Sequence, residues 1–121
     1  MNPEAFRGKR VWLSGHTGFK GGILAHWLLK LGANVAGYAL APEISPDLFG
    51  VLKLRNRLAS TFADIRDAAR VRQHLSAFRP EIVLHLAAQP LVRASYEDPI
   101  GTLATNVMGT AHVLEIGRAH V

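Results

Sequence analysis

Ser14-Gly15-His16-Thr17-Gly18-Phe19-Lys20-Gly21 is the stretch that decides the fold of this 121-residue chain. Ahead of it stands Arg10-Val11-Trp12-Leu13, a short apolar run that reads as a strand. Behind it, Ile23, Leu24, Trp27, Leu28 and Leu31 recur every three or four residues, the spacing of a helix with one buried face. The glycines therefore sit in a strand-to-helix turn. Gly15, Gly18 and Gly21 follow G-x-x-G-x-x-G, a spacing variant of the dinucleotide-binding turn. In such a turn the first glycine allows the tight bend and the second lets a pyrophosphate reach the backbone. The third lets the helix lie close on the strand. The free amides and the positive end of the helix dipole then face the phosphates. A glycine-rich loop without a ligand shares this spacing, but the strand before it and the helix after it favour the nucleotide reading. A P-loop is excluded, because it needs Gly-Lys-Ser/Thr where this chain has Lys20-Gly21.

Composition narrows what surrounds the turn. The chain is 49% hydrophobic and 19% charged, so it should fold around a core, and its length suits one domain. It has no cysteine, which excludes disulfides, thiolate metal sites and a cysteine nucleophile. The six histidines show no metal-ligand spacing, and no metal site is expected. No apolar run is long enough for a membrane span, and residues 1–7 lack a signal-peptide core. A soluble cytoplasmic protein without membrane contact is the expectation. The net charge of +5 admits a nucleic-acid partner, but the basic residues are spread from Arg7 to Arg118 without a dense run. A basic surface on a small-molecule enzyme is the favoured account.

Beyond the turn, strands and helices alternate. The pattern predicts strands at 10–14, 34–40, 60–63 and 82–86, and helices at 19–31 and from the Asp67 cap to Phe78. Gly32 and Pro80 stop the two helices. A loop at 41–46 and a short helix at 48–58 fill the second crossover. A loop through Gln89-Pro90 leads to a long helix opened by Asp98-Pro99, with Leu103, Val107, Ala111 and Leu114 as its apolar face. Such alternation predicts an α/β fold, a doubly wound parallel sheet of the Rossmann kind. Right-handed crossovers give the strand order 3-2-1-4, the N-terminal part of that sheet.

Several segments carry a family resemblance. They are the glycine turn, Ala63-Asp64-Ile65-Arg66-Asp67, His85-Leu86-Ala87-Ala88-Gln89-Pro90-Leu91-Val92-Arg93, Ser95-Tyr96 and Thr105-Asn106-Val107-Met108-Gly109-Thr110. In this order they resemble the N-terminal part of the extended short-chain dehydrogenases/reductases, and within them the nucleotide-sugar 4,6-dehydratases. The resemblance runs from about residue 2 to 115. It implies NAD as cofactor, a nucleotide-sugar substrate and a homo-oligomeric parent enzyme. It also implies a reaction: a hydride leaves sugar C4, water is eliminated across C5 and C6, and the hydride returns at C6. The 4-keto group acidifies the C5 proton, which is why oxidation must precede elimination.

The resemblance also implies site residues. Gly15, Thr17, Gly18, Phe19, Lys20 and Gly21 would form the pyrophosphate turn, with a core contact under the turn as the other reading of Phe19. Asp64 and Ile65 resemble the pair that flanks adenine; a solvated loop acid is the other reading of Asp64. Ala87, Ala88 and Gln89 would bear the ribose and phosphates at the strand end. His85 reads as a packed strand residue. Arg93 and Ser95 would face the substrate, or belong to a surface loop. Asn106, with Thr105, would lie near the nicotinamide, or brace the sheet.

Three features depart from the full pattern. No carboxylate stands at the end of the second strand for the ribose hydroxyl; Tyr38-Ala39-Leu40-Ala41 occupies it and Glu43 comes late. NAD rather than NADP thus rests on the resemblance. The family's Tyr-x-x-x-Lys pair is missing as well. Pro42 follows Tyr38 and Ile100 follows Tyr96 at that distance, so no catalytic residue is expected within 1–121. The catalytic segment and the substrate domain are expected beyond it, leaving an inactive partial NAD-binding domain with an open fourth-strand edge. Finally, Glu115-Ile116-Gly117-Arg118-Ala119-His120-Val121 breaks the apolar period and matches the translation of a common sequencing adapter. The genuine chain is expected to end near Leu114 or Glu115. Two rivals remain: another nucleotide-sugar epimerase or dehydratase, and a non-catalytic NAD(P)-binding module of the same fold. A Tyr-x-x-x-Lys pair in the complete gene would separate enzyme from module.

Overall fold

The computed structural model describes residues 2–42 and 47–120. Its four strands are β1 (Arg10–Ser14), β2 (Asn34–Ala39), β3 (Ala59–Phe62) and β4 (Ile82–His85). They form one parallel sheet in the order 3-2-1-4, as the alternation requires. The register sets Ser14 beside Tyr38 on one flank and beside His85 on the other. The carboxyl ends of all four strands thus point to one edge, where the glycine turn sits.

Helix α1 (Phe19–Lys30) follows the turn and ends at Gly32, whose φ of +87° suits only glycine well. In place of one helix at 48–58 there are two pieces, α2 (Leu48–Val51) and a 3-10 turn (Leu54–Asn56). Lys53, left-handed at φ +53°, separates them. Of the loop expected at 41–46, residues 43–46 lie outside the described residues, Glu43 included. Helix α3 (Ala68–Phe78) starts where Asp67 accepts from the Arg70 amide at 3.1 Å. The loop expected after Gln89-Pro90 contains a helix, α4 (Val92–Glu97). Then α5 (Pro99–Leu103), a π-turn (Ala104–Met108) and α6 (Gly109–His120) follow without interruption as one long helix.

The core has two layers, one on each sheet face. Val11, Leu13, Val35, Leu28, Phe49 and Leu54 fill the α1 side. Trp12, Tyr38, Val71, Leu75, Val113 and Ile116 fill the α3/α6 side. Both helix faces expected from the apolar spacing need correction. In α1 the buried residues are Gly21, Gly22, Ala25 and Leu28, whereas Ile23 and Trp27 are exposed. Gly21 fixes the rotation, because a Cβ there would stand 1.9 Å from the Gly15 carbonyl oxygen. At 3.6 residues per turn, Ile23 and Trp27 lie roughly 200° and 240° around from it. The long helix repeats the case. Gly109 sits against Ile65, where a Cβ would come within 2.7 Å. Val113 and Ile116 share its face, while Leu103, Val107, Ala111 and Leu114 are exposed. Nor does Gly117 break the helix: it is buried, Ile116 continues the Val113 face, and the helix runs to His120. Val121 lies outside the described residues.

Candidate functional site

The glycine turn is held by its own backbone. The Gly15 amide donates to the Tyr38 carbonyl at 3.0 Å and the Gly18 amide to the Gly15 carbonyl at 3.1 Å. Gly15 has a φ of +83°, and a Cβ on it would meet the backbone of Leu86 and Ala87 at 2.7–2.9 Å. Gly18 is different. A Cβ there would meet only the Gly15 carbonyl oxygen, at 3.5 Å, so the space above it is open. Gly18 also caps α1 without any side-chain hydrogen bond. No acidic residue occupies the first turn of α1, so its dipole is free to face an anion.

A cleft of about 620 Å³ opens over this turn at the carboxyl edge of the sheet. Gly15, Thr17, Gly18, Phe19, Lys20 and Gly21 form its floor, Asp64 and Ile65 one wall, Ala87 and Ala88 the other. Sequence reasoning placed all of these. Phe19 is 72% exposed and therefore no core contact. Ala39, Leu40, Ala63, Arg66, Leu86, Pro90 and Thr105 complete the lining. The Thr17 hydroxyl donates to the Leu40 carbonyl at 2.8 Å and so ties the turn to the end of β2. A second hollow, of about 730 Å³, lies at the opposite sheet edge. Its Arg10 and Glu81 already pair with each other at 3.3 Å.

Four expected site residues lie outside the cleft lining. Gln89 and Asn106 do not line the cleft. The Asn106 side chain accepts from the Gln89 amide at 2.7 Å and donates to the Gln89 carbonyl at 3.1 Å. Asn106 stands in the π-turn, and its side chain reaches the loop after β4. The Gln89 side chain folds onto Leu91 and Thr102. Both residues brace the loop that carries Ala87 and Ala88. Arg93 and Ser95 stand on α4, not on a loop, and outside the cleft lining. Arg93 pairs with Glu97 at 3.5 Å and is almost fully exposed, and Ser95 bonds the Val92 carbonyl. Asp64 is not a free loop acid either. The Arg66 guanidinium grips its carboxylate at 2.7–3.0 Å and holds it below the usual carboxylate range. The Asp64 carbonyl takes the Tyr38 hydroxyl at 2.7 Å, and burial pushes that phenol up to about 12.

Histidine chemistry around the turn escaped the sequence. His16 is fully buried, 3.0 Å from the Ser60 hydroxyl through Nε2, with Nδ1 unpartnered. Its ring stacks on Phe62 and meets the edge of Phe49. Desolvation first, then His74, lowers its pKa to about 4. Gly37 in β2 makes the room, since a Cβ there would come within 2.5 Å of the imidazole. A glycine amid a run of apolar strand residues was the available signal.

Among the described residues there is no cluster that could hold a metal ion, and no helix is long and apolar enough to cross a membrane. The chain is 54% identical to the CDP-glucose 4,6-dehydratase of Salmonella typhimurium over 95% of its own length. It spans 32% of that protein. Among solved structures, an epimerase of Methanothermobacter thermautotrophicus superposes with a TM-score of 0.83 at 29% identity, over 98% of this chain and 34% of the other. The UDP-glucose 4-epimerase of Brucella ovis in complex with NAD superposes with a TM-score of 0.75 at 27% identity, over 93% of this chain and 33% of the other. Residues 13–121 match the family described as GDP-mannose 4,6 dehydratase. By that match the chain belongs to the GDP-mannose 4,6 dehydratase family.

Proposed function

We propose that this chain is the NAD-binding portion of a CDP-glucose 4,6-dehydratase, which converts CDP-glucose to CDP-4-keto-6-deoxyglucose and water. The observation that carries this reading is the open space over Gly18 at the uncapped start of α1, in a cleft walled by Ala87 and Ala88. The high identity to the Salmonella enzyme supports the choice of sugar nucleotide. When bound, NAD supplies reversible hydride exchange with the sugar. The first amides of α1 hold the pyrophosphate, and Lys20 adds positive charge at the same end. Ala87 and Ala88 let a ribose lie against the backbone. Asp64, fixed by Arg66, and Ile65 flank the adenine. Gln89 and Asn106 act on the cofactor through the loop they brace. Helix α4 starts two residues past cleft-lining Pro90 and carries Arg93 and Ser95, the substrate-side residues of this reading. The tyrosine base, its lysine and the substrate domain belong to a longer protein. A cytoplasmic, homo-oligomeric lyase is part of the same proposal and rests on the family resemblance.

The test uses the full-length protein. It should turn CDP-glucose into the 4-keto product, and Gly18→Val should abolish NAD binding while leaving the unfolding midpoint near that of the wild type. Unchanged cofactor content in Gly18→Val would overturn the assignment of the turn. The 121-residue chain alone should give no product with CDP-glucose and added NAD. Turnover from a monodisperse preparation of it would overturn the placement of catalysis elsewhere.

A further inference from the structure

Three side chains that the cofactor role leaves unused form a chain of hydrogen bonds between β4 and the long helix. Ser14 and His85, the last residues of β1 and β4, are register partners. The Ser14 hydroxyl lies 2.5 Å from His85 Nδ1 and accepts from the amides of Leu86 and Ala87 at 3.0 and 3.1 Å. His85 Nε2 lies 3.0 Å from the Thr110 hydroxyl, which donates to the Asn106 carbonyl at 2.6 Å. The Asn106 side chain then returns to Gln89, at the end of the cleft wall.

The directions of these bonds are forced. The Thr110 proton goes to the Asn106 carbonyl, so Thr110 must accept from His85, and the imidazole proton sits on Nε2. Nδ1 then accepts the Ser14 proton, and both Ser14 lone pairs remain for the Leu86 and Ala87 amides. A charged His85 disturbs this set. Its Nδ1–H would compete for the hydroxyl lone pairs that hold Leu86 and Ala87; the Leu86 amide could fall back on the Ser14 carbonyl at 3.1 Å, but the Ala87 amide has only the hydroxyl. The other titratable groups on this sheet face are bonded elsewhere. His74 of α3 bonds Trp12 and Thr61, His112 of α6 faces the Ile65 carbonyl, and Tyr38 of β2 donates to the Asp64 carbonyl. Burial alone lowers the pKa of His85.

We propose that neutral His85 is a positioning residue: it locks the backbone from Leu86 to Gln89 against the cleft, and its protonation releases that wall and weakens the cofactor. The second half of this statement rests on the dinucleotide reading given above; the lock itself does not.

The experiment separates the two in the full-length protein. Nitrogen NMR of the imidazole should show the Nε2–H tautomer at neutral pH. Amide exchange at Ala87 should rise about tenfold or more in Ser14→Ala and return to the wild-type rate in Ser14→Thr. The NAD dissociation constant of the wild type should stay flat from about pH 7.5 to 6.5 and rise about tenfold on further acidification, because burial makes His85 titrate below an ordinary histidine. His85→Phe should bind NAD more weakly throughout, without that pH dependence. An Nδ1–H tautomer, or Ala87 exchange unmoved by Ser14→Ala, overturns the lock. A His85→Phe pH profile matching the wild type overturns the coupling to the cofactor. If the wild type binds no NAD at any pH, the dinucleotide reading falls, and the tautomer and exchange data still decide the lock.

Discussion

The two flanks of β1 are built on different principles. On the β2 side that strand is sealed: Val35, Ala36, Tyr38 and Ala39 are buried, and the glycines at 21 and 37 let α1 and His16 close up. On the β4 side every strand residue is half-buried, and its outer edge has no partner strand among the described residues. Side-chain hydrogen bonds do the holding there, from Ser14 through His85 and Thr110 to Asn106 and Gln89. The cleft draws one wall from each flank. The packed flank therefore sets where the turn stands, and the hydrogen-bonded flank sets the orientation of the Ala87–Ala88 backbone opposite it.

The sharpest way to break the packed flank is Gly21→Ala. The new methyl would stand 1.9 Å from a backbone oxygen that cannot move without the turn. A loss of at least about 4 kcal/mol in denaturant unfolding is expected, or no folded protein at all. Gly22→Ala is the control one position on. Its methyl meets the Leu48 side chain at 3.3 Å and the His16 carbonyl oxygen at an ordinary 3.6 Å, and the helix gains about 1 kcal/mol of propensity. It should be close to neutral. Equal losses in the two variants would show that helix rotation is not fixed at Gly21.

Acid should find the packed flank next, through His16. Its folded pKa is about 4 against an ordinary 6.5, so between those values the unfolded chain binds more protons. Stability should be full above about pH 6.5 and fall as pH drops toward 4, by about 3 kcal/mol. His16→Phe should remove most of that slope. An imidazole titration of His16 in the folded protein centred near 6.5 would show that the ring is not sealed.

The same contrast explains what the sequence could reveal. Strand order, the glycine turn and the caps at Asp67 and Asp98 rest on neighbours in the chain, and each stands as expected. The helix faces rest on distant contacts. Ile23 with Trp27 and Leu103 with Val107 form apolar stripes as convincing as the real ones, but glycines at 21 and 109 turn other faces inward. The site shows the same division. The turn, Asp64 and the two alanines line the cleft, because motif spacing encodes them. Gln89 and Asn106 face each other across 17 positions, through a π-turn that no local pattern announces. The Gly37–His16 fit is likewise a contact between separate elements.

Asn106→Ala should weaken the open flank by less. It removes two hydrogen bonds to the Gln89 backbone at a half-buried site, worth about 2 kcal/mol together. The loss should appear first as faster amide exchange at Gln89. Exchange there that stays at the wild-type rate would mean the π-turn, not its asparagine, holds the loop.

The smallest effect compares two caps of the same chemistry on opposite flanks. Asp67 accepts from the Arg70 amide at 3.1 Å at the start of α3, and Asp98 from the Gly101 amide at 2.9 Å at the start of α5. Replacing either by Ala removes one partner from an otherwise free helix amide, at about 1 kcal/mol. If the domain unfolds as one unit, the two losses appear equally in denaturant unfolding. The construction of the flanks argues otherwise. Helix α3 packs Val71 and Leu75 into the sealed core, whereas α5 buries no residue at all. Asp67→Ala should therefore lower global stability by the full amount. Asp98→Ala should leave the global midpoint almost unmoved and instead raise amide exchange in 99–103, because that helix opens locally before the sheet does. Equal global losses would show that the hydrogen-bonded flank is as cooperative as the packed one, despite its exposed strand and helix faces.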